Sequence, residues 1–114
     1  MRIEIITEPI TRAVASEIAR EIYGDMLKGV VDIEREILAL GGEYHMDGNM
    51  ALIGNGSTQS AVWGFNLHLE QPQESWIEFR SLINIRPAQG NRGMLVESSE
   101  LQEKIRRVIN SKIT

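Results

Sequence analysis

Val62-Trp63-Gly64-Phe65-Asn66-Leu67-His68-Leu69, followed after Glu70-Gln71-Pro72-Gln73-Glu74 by the long run Ser75 to Arg86, decides how this 114-residue chain folds. Both runs are rich in aromatic and β-branched residues and are separated by a short polar turn, the pattern of a β-hairpin. If Leu69 pairs with Ser75, then Leu67 faces Ile77, Phe65 faces Phe79 and Trp63 faces Ser81. That register collects Trp63, Phe65, Leu67, Ile77 and Phe79 on one face, continued by Ile83 and Ile85. The other face carries Asn66, His68, Trp76, Glu78, Arg80, Asn84 and Arg86. A slip of one residue would mix the two sets, so the pattern itself selects the pairing.

Working outward, Arg2 to Ile6 alternates as a strand with Ile3 and Ile5 on one side, and Thr7-Glu8-Pro9 ends it. A helix is predicted over Thr11–Tyr23, with Thr11 as N-cap, Gly24 at its stop, and Val14, Ile18 and Ile22 as an apolar stripe. Gly29–Ile33 and Glu36–Leu40 read as paired strands around Glu34-Arg35. A helix over 26–40 competes, because Met26, Val30, Ile33 and Ile37 also suit a helical period, but the β-branched residues favour strands. Glu43–Met46 and Met50–Ile53 flank Asp47-Gly48-Asn49, which reads as a hairpin turn. The alternative there is a short helix capped by Asp47 and stopped by Gly54. Pro87 closes the long run before a polar loop to Met94. A last helix begins at Ser99, where Ser99-Glu100-Leu101-Gln102 fits a capping box, and Leu101, Ile105, Val108, Ile109 and Lys112 fall along one side.

The expected architecture is one α+β domain over residues 1–114. It has an N-terminal strand and helix, an antiparallel meander of about five strands and a C-terminal helix, with the helices on one face of the sheet. At 42% hydrophobic and 25% charged the chain has ordinary globular composition. It contains no cysteine, which excludes a disulfide scaffold, a thiolate nucleophile and Cys-ligated metal, and favours a cytoplasmic setting. The alternating N-terminus does not read as a signal peptide, and no segment is apolar enough to span a bilayer. A net charge of −4 has the wrong sign for non-specific nucleic-acid binding.

Two groups of residues carry candidate chemistry. Asn84 and Arg86 stand two apart on the polar side of the proposed strand, so their side chains start roughly 6–7 Å apart. The loop through Asn91 and Arg92 can return over the same edge, and two guanidiniums with two amides suit a carboxylate or phosphate. Gly64, opposite Arg80, would leave room above the sheet. The competing reading is that Arg80 pairs with Glu78 and the loop amides satisfy their own backbone. In a strand, Glu43, His45 and Asp47 would point the same way and act as acid and base, or meet a metal for which no fourth ligand is visible. His68, opposite Trp76, reads as an exposed stacked pair. No phosphate loop, dinucleotide fingerprint, nucleophile elbow or paired zinc-ligand histidines are present.

At Gly41-Gly42-Glu43-Tyr44-His45-Met46-Asp47, Gly56-Ser57, Trp63-Gly64-Phe65-Asn66 and Ser81 to Arg92, the chain resembles a family of short uncharacterised prokaryotic proteins known only as a domain of unknown function. The resemblance covers nearly the whole chain, and Ile83-Asn84-Ile85-Arg86-Pro87-x-x-Gly90-Asn91-Arg92 is its most specific part. It brings no activity, cofactor or catalytic residue with it, but implies that Glu43, His45, Asp47, Asn84, Arg86, Asn91 and Arg92 be considered together. The chain departs from the pattern after Asp47, where Gly48-Asn49 replaces longer, often acidic residues, which weakens an acidic or metal role there.

Three functional readings follow. The leading one is a binding module whose Arg/Asn-lined site holds a small anionic ligand or a partner's acidic segment. The second is a small hydrolase or ribonuclease-like enzyme in which His45 moves a proton and Arg86 stabilises charge; it requires the two to share a cleft. The third is a structural domain that self-associates through the sheet, using whichever of Trp63 and Trp76 is exposed.

Overall fold

In the computed structural model, which describes residues 2–114, five antiparallel strands form one sheet. They are β1 (Ile3–Ile6), β2 (Met26–Asp32), β3 (Ile37–Gly41), β4 (Val62–His68) and β5 (Ile77–Glu78), in the order β1-β3-β2-β4-β5. The helices are α1 (Arg12–Ala19), α2 (His45–Gly54) and α3 (Ser99–Lys112). None of them is long and apolar enough to cross a membrane.

Residues 26–40 form the expected strand pair, not a helix. Asp32 sets the turn: its Oδ1 accepts from the Glu34 and Arg35 amides, both at 2.9 Å. The strands alternate between two cores. Leu27, Val31, Leu38, Leu40, Trp63, Phe65 and Leu67 face α1 and α3, which contribute Ile18, Ile105 and Ile109. Val30, Ile37, Ala39 and Val62 face the other way, where Leu52 of α2 covers them. The two anticipated helices therefore share one face, and a third helix lies on the opposite one. The sheet is also not a simple meander, because the chain crosses over from β3 through α2 to reach β4 beside β2.

Thr11 caps α1, its Oγ1 accepting from the Val14 amide at 3.2 Å. The helix ends at Ala19, four residues before the expected end, and turns carry the chain to Gly24 at φ +83°. Ser98, not Ser99, caps α3, with Oγ accepting from the Leu101 amide at 3.1 Å.

The hairpin expected at 43–53 is a helix, the alternative reading of that segment. The Asp47 carboxylate accepts from the Glu43 and Tyr44 amides at 3.2 and 3.0 Å, satisfying donors that a helix start leaves free. Gly48 serves packing, not a turn: a Cβ there would lie 3.0 Å from Val30 Cγ2 and 3.4 Å from Ala39 Cβ, so α2 rests directly on the sheet.

The 62–86 hairpin has the predicted register, with Leu67 opposite Ile77 and Asn66 opposite Glu78, but its second strand stops at Glu78. Beyond it Arg80 bridges Leu95, and short helical turns occupy Leu82–Asn84 and Pro87–Gln89. Two consequences overturn the predicted faces. Trp76 lies 1% exposed in the α1/α3 core beneath Arg12, whose guanidinium is 4.2 Å from the ring centroid. Ile83 packs on the α2 side, while Ile85 is exposed. Both tryptophans are buried on the same side of the sheet, so neither is available as the exposed anchor.

Candidate functional site

The residues of the Ile83–Arg92 motif are brought together, but their polar atoms turn inward onto backbone. Asn84 is fully buried; its Oδ1 accepts from the Gly64 amide at 2.8 Å and its Nδ2 donates to the Gly64 carbonyl at 2.9 Å. One side-chain amide thus replaces the strand that stopped at Glu78. The Asn91 Nδ2 donates to the carbonyls of Asn84, Gly93 and Leu95, and its Oδ1 accepts from the Glu97 amide at 2.9 Å. Arg86 donates to the carbonyls of Ile83 (3.0 Å), Gln59 (2.8 Å) and Val62 and to Gln89 Oε1, and stacks 4.3 Å from the Trp63 ring centroid. Burial lowers its pKa from the ordinary value, and no carboxylate sits against it to oppose that. Arg92 is exposed, outside this lock. The space expected above Gly64 is filled by Ser81, whose Cβ would lie 2.6 Å from a Cβ on Gly64.

Glu43, His45 and Asp47 do not form a set either. Asp47 is committed to capping α2, and Glu43 precedes the helix with its carbonyl accepting from the Tyr23 hydroxyl at 2.6 Å. Among the described residues no three His, Asp or Glu side chains gather as a metal ion would require. His45 and Arg86 also part company, because Arg86 is absent from the cleft that His45 lines.

That cleft, of about 480 Å³, opens between the start of α2 and the segment from Arg80 to Ile83. Its floor is the polar end of β2 and β4, with Lys28 opposite Asn66. Its walls are apolar: Tyr44 and Met46 on the α2 side, Leu82, Ile83 and Met94 on the other. Tyr44 and Leu82 are 64% and 71% exposed, so large apolar groups stand free at its rim. A concave, mainly apolar space with a few convergent polar groups is the usual form of a small-ligand site.

The polar end is a connected network of Asn66, His68, Glu78 and Arg80, the part of the predicted polar face that keeps its place. The Asn66 Nδ2 donates to Glu78 Oε1 at 3.0 Å, and His68 Nε2 lies 3.1 Å from the same oxygen. Arg80 Nε is 3.8 Å from Glu78 Oε2, the pairing weighed for it from sequence. Hydrogen bonds from His68 and Asn66 hold the Glu78 carboxyl below its usual pKa, against opposing burial, and the His68 and Arg80 charges assist. Lys28 differs from its neighbours. Its ammonium reaches only Asn66 Oδ1, at a long 3.4 Å, and the Tyr23 ring face at 5.6 Å. It is half-buried, and no carboxylate among the described residues pairs with it.

His45 is held over this floor by a 2.8 Å bond between Nε2 and the Phe65 carbonyl. A carbonyl only accepts, so Nε2 carries the proton and a neutral ring keeps its Nδ1 lone pair free. Burial pushes the His45 pKa below 6.5 and the Lys28 charge pushes the same way; the Phe65 carbonyl, Asn66 and Glu78 oppose them without prevailing. A histidine with a folded pKa below its unfolded one contributes most stability above the unfolded value. That contribution declines as pH falls from about 6.5 toward the folded pKa. NMR titration of the His45 ring is therefore expected to give a midpoint below 6.5; a midpoint at or above it would contradict this reading of the site.

Sequence reasoning placed His45, Asn66 and Arg80 on exposed or polar faces but missed Lys28. The available signal was a lone cation inside the otherwise apolar run from Met26 to Val31. Comparison with curated proteins and with solved structures finds no match. Residues 4–112, nearly the whole chain, match the family described as "Protein of unknown function (DUF5674)", and the chain belongs to that family.

Proposed function

We propose that this chain is a cytoplasmic binding module that takes a small anionic ligand in the cleft between α2 and the Arg80–Ile83 segment. The observation that carries the reading is Lys28. Its ammonium lines the cleft with one long amide contact and no protein carboxylate against it, so its charge is free to take up an anion. An incoming anion supplies the missing partner, with Arg80 beside it and the His45 ring lining the approach. Arg86, which the sequence reading had chosen, serves to close the loop over Val62 and Gln59, so the anion site stands at Lys28 instead.

The test is titration of the ¹⁵N-labelled protein with acetate and with inorganic phosphate, followed by amide shifts. Perturbations are expected at Lys28, His45 and Asn66 and not around Asn91 and Arg92. Lys28→Met is expected to weaken binding by about 1.5–3 kcal/mol, the scale of a hydrogen bond to a charged group, while Arg92→Ala leaves it unchanged. Shifts confined to the Arg92 loop, or equal affinity in Lys28→Met, would remove the proposal.

A further inference from the structure

The cleft is polar at one end only, and that asymmetry narrows its ligand. Resting on the anion-site reading above, we infer that the ligand is an amphipathic monocarboxylate, with its carboxylate at Lys28 and an apolar chain or ring between Met46 and Leu82. Three observations lead there. The cations lining the cleft are Lys28 and Arg80, and Arg80 lies 3.8 Å from Glu78, which leaves Lys28 as the one without a carboxylate. One unpaired cation matches one carboxylate. A di- or triphosphate would bring extra negative charge against the Glu78 carboxylate, which is already bonded to Asn66 and His68.

The walls supply the second observation. Tyr44, Met46, Leu82 and Met94 offer the body of a ligand almost nothing but apolar surface, so a sugar or other polyol would lose its water without gaining partners. The third is that this surface is unsatisfied in the free protein, since Leu82 and Tyr44 are among its most exposed large apolar side chains. Methionine at the wall adapts to chains and rings of differing shape. Apolar surface also continues along α2 at Met50, one turn beyond Met46 and 65% exposed.

The experiment is a calorimetric and NMR series with acetate, butanoate, hexanoate and octanoate, kept below micelle-forming concentrations, beside octanol, inorganic phosphate and ATP. Affinity is expected to rise about two- to fourfold per added methylene while the chain still meets wall, and octanoate to bind at least tenfold tighter than octanol. Leu82→Ser alters an exposed residue and should leave the fold intact. It is expected to cut octanoate affinity several-fold and leave acetate unchanged, whereas Lys28→Met weakens both. Phosphate or ATP binding at Lys28 as tightly as octanoate, or affinity independent of chain length, would overturn the monocarboxylate inference and keep the anion site. If no anion perturbs Lys28, both fail.

Discussion

Asn84→Ala is expected to lower the unfolding free energy by about 3–4 kcal/mol, because it strips both hydrogen-bonding groups of Gly64 and the Met94 carbonyl of their partner, at about 1–3 kcal/mol for each buried group left unsatisfied. Those bonds, at 2.8, 2.9 and 3.2 Å, are what pair the edge of β4 where β5 has ended. Alanine fills part of the volume but offers the backbone nothing, and water reaches the site only by opening the loop. For a chain of this length the loss corresponds to a fall in Tm of about 15 °C. Asn84→Asp separates geometry from chemistry: it keeps the acceptor for the Gly64 amide but turns the donor toward the Gly64 carbonyl into a second acceptor, and is expected to be no better than alanine. Thermal and urea unfolding measure both, with Arg92→Ala as a surface control within about 0.5 kcal/mol of wild type. An Asn84→Ala protein within about 1 kcal/mol of wild type would show that Gly64 finds other partners.

Gly29→Val is expected to cost about 3 kcal/mol, although valine is intrinsically the better strand residue. Gly29 pairs with Phe65 in the middle of the sheet, and a Cβ there would stand 2.3 Å from Phe65 Cζ and under 3 Å from both Cε atoms. The ring lies across the glycine because nothing projects from it. A flexible surface ring would swing aside, but Phe65 is wholly buried among α1, α3 and its neighbouring strands, so any swing displaces the core. The clash is with the distal end of one side chain, which makes it testable by a cycle. Phe65→Leu removes that end, so the Gly29→Ala penalty measured in a Phe65→Leu background is expected to shrink by at least about 1 kcal/mol relative to wild type. Additive penalties would mean that the strand itself, not the ring, rejects the side chain.

These two predictions share a cause with the errors of sequence reading. Gly48, Gly64 and Asn84 were each given local roles, in a turn, an open space and a ligand clamp. Their partners are Val30, Ser81 and the Gly64 backbone, all distant in sequence. Arg86 meets the same limit, its partners being the carbonyls of Ile83, Gln59 and Val62. A guanidinium beside a glycine-bearing loop is equally suited to a phosphate and to a cluster of carbonyls, and carbonyls are identical at every position of a sequence.

What the amino-acid order determined by itself is the set of elements with a strong period. The strands β1 to β4, the Thr11 cap, the apolar stripe of α3 and the Leu67–Ile77 register were all legible, because each depends on neighbours within a few residues or on alternation along one hairpin. Tertiary structure alone decided which face α2 covers, where β5 gives way to the Asn84 amide, and which of the cleft's two cations is left without a carboxylate. Those outcomes turn on backbone groups and on surfaces from separate strands meeting in space. Lys28 is one residue among twelve cations in the sequence, and becomes distinct only when β2, β4 and the start of α2 assemble around it while the Glu78 carboxylate of β5 is taken up by Asn66, His68 and Arg80.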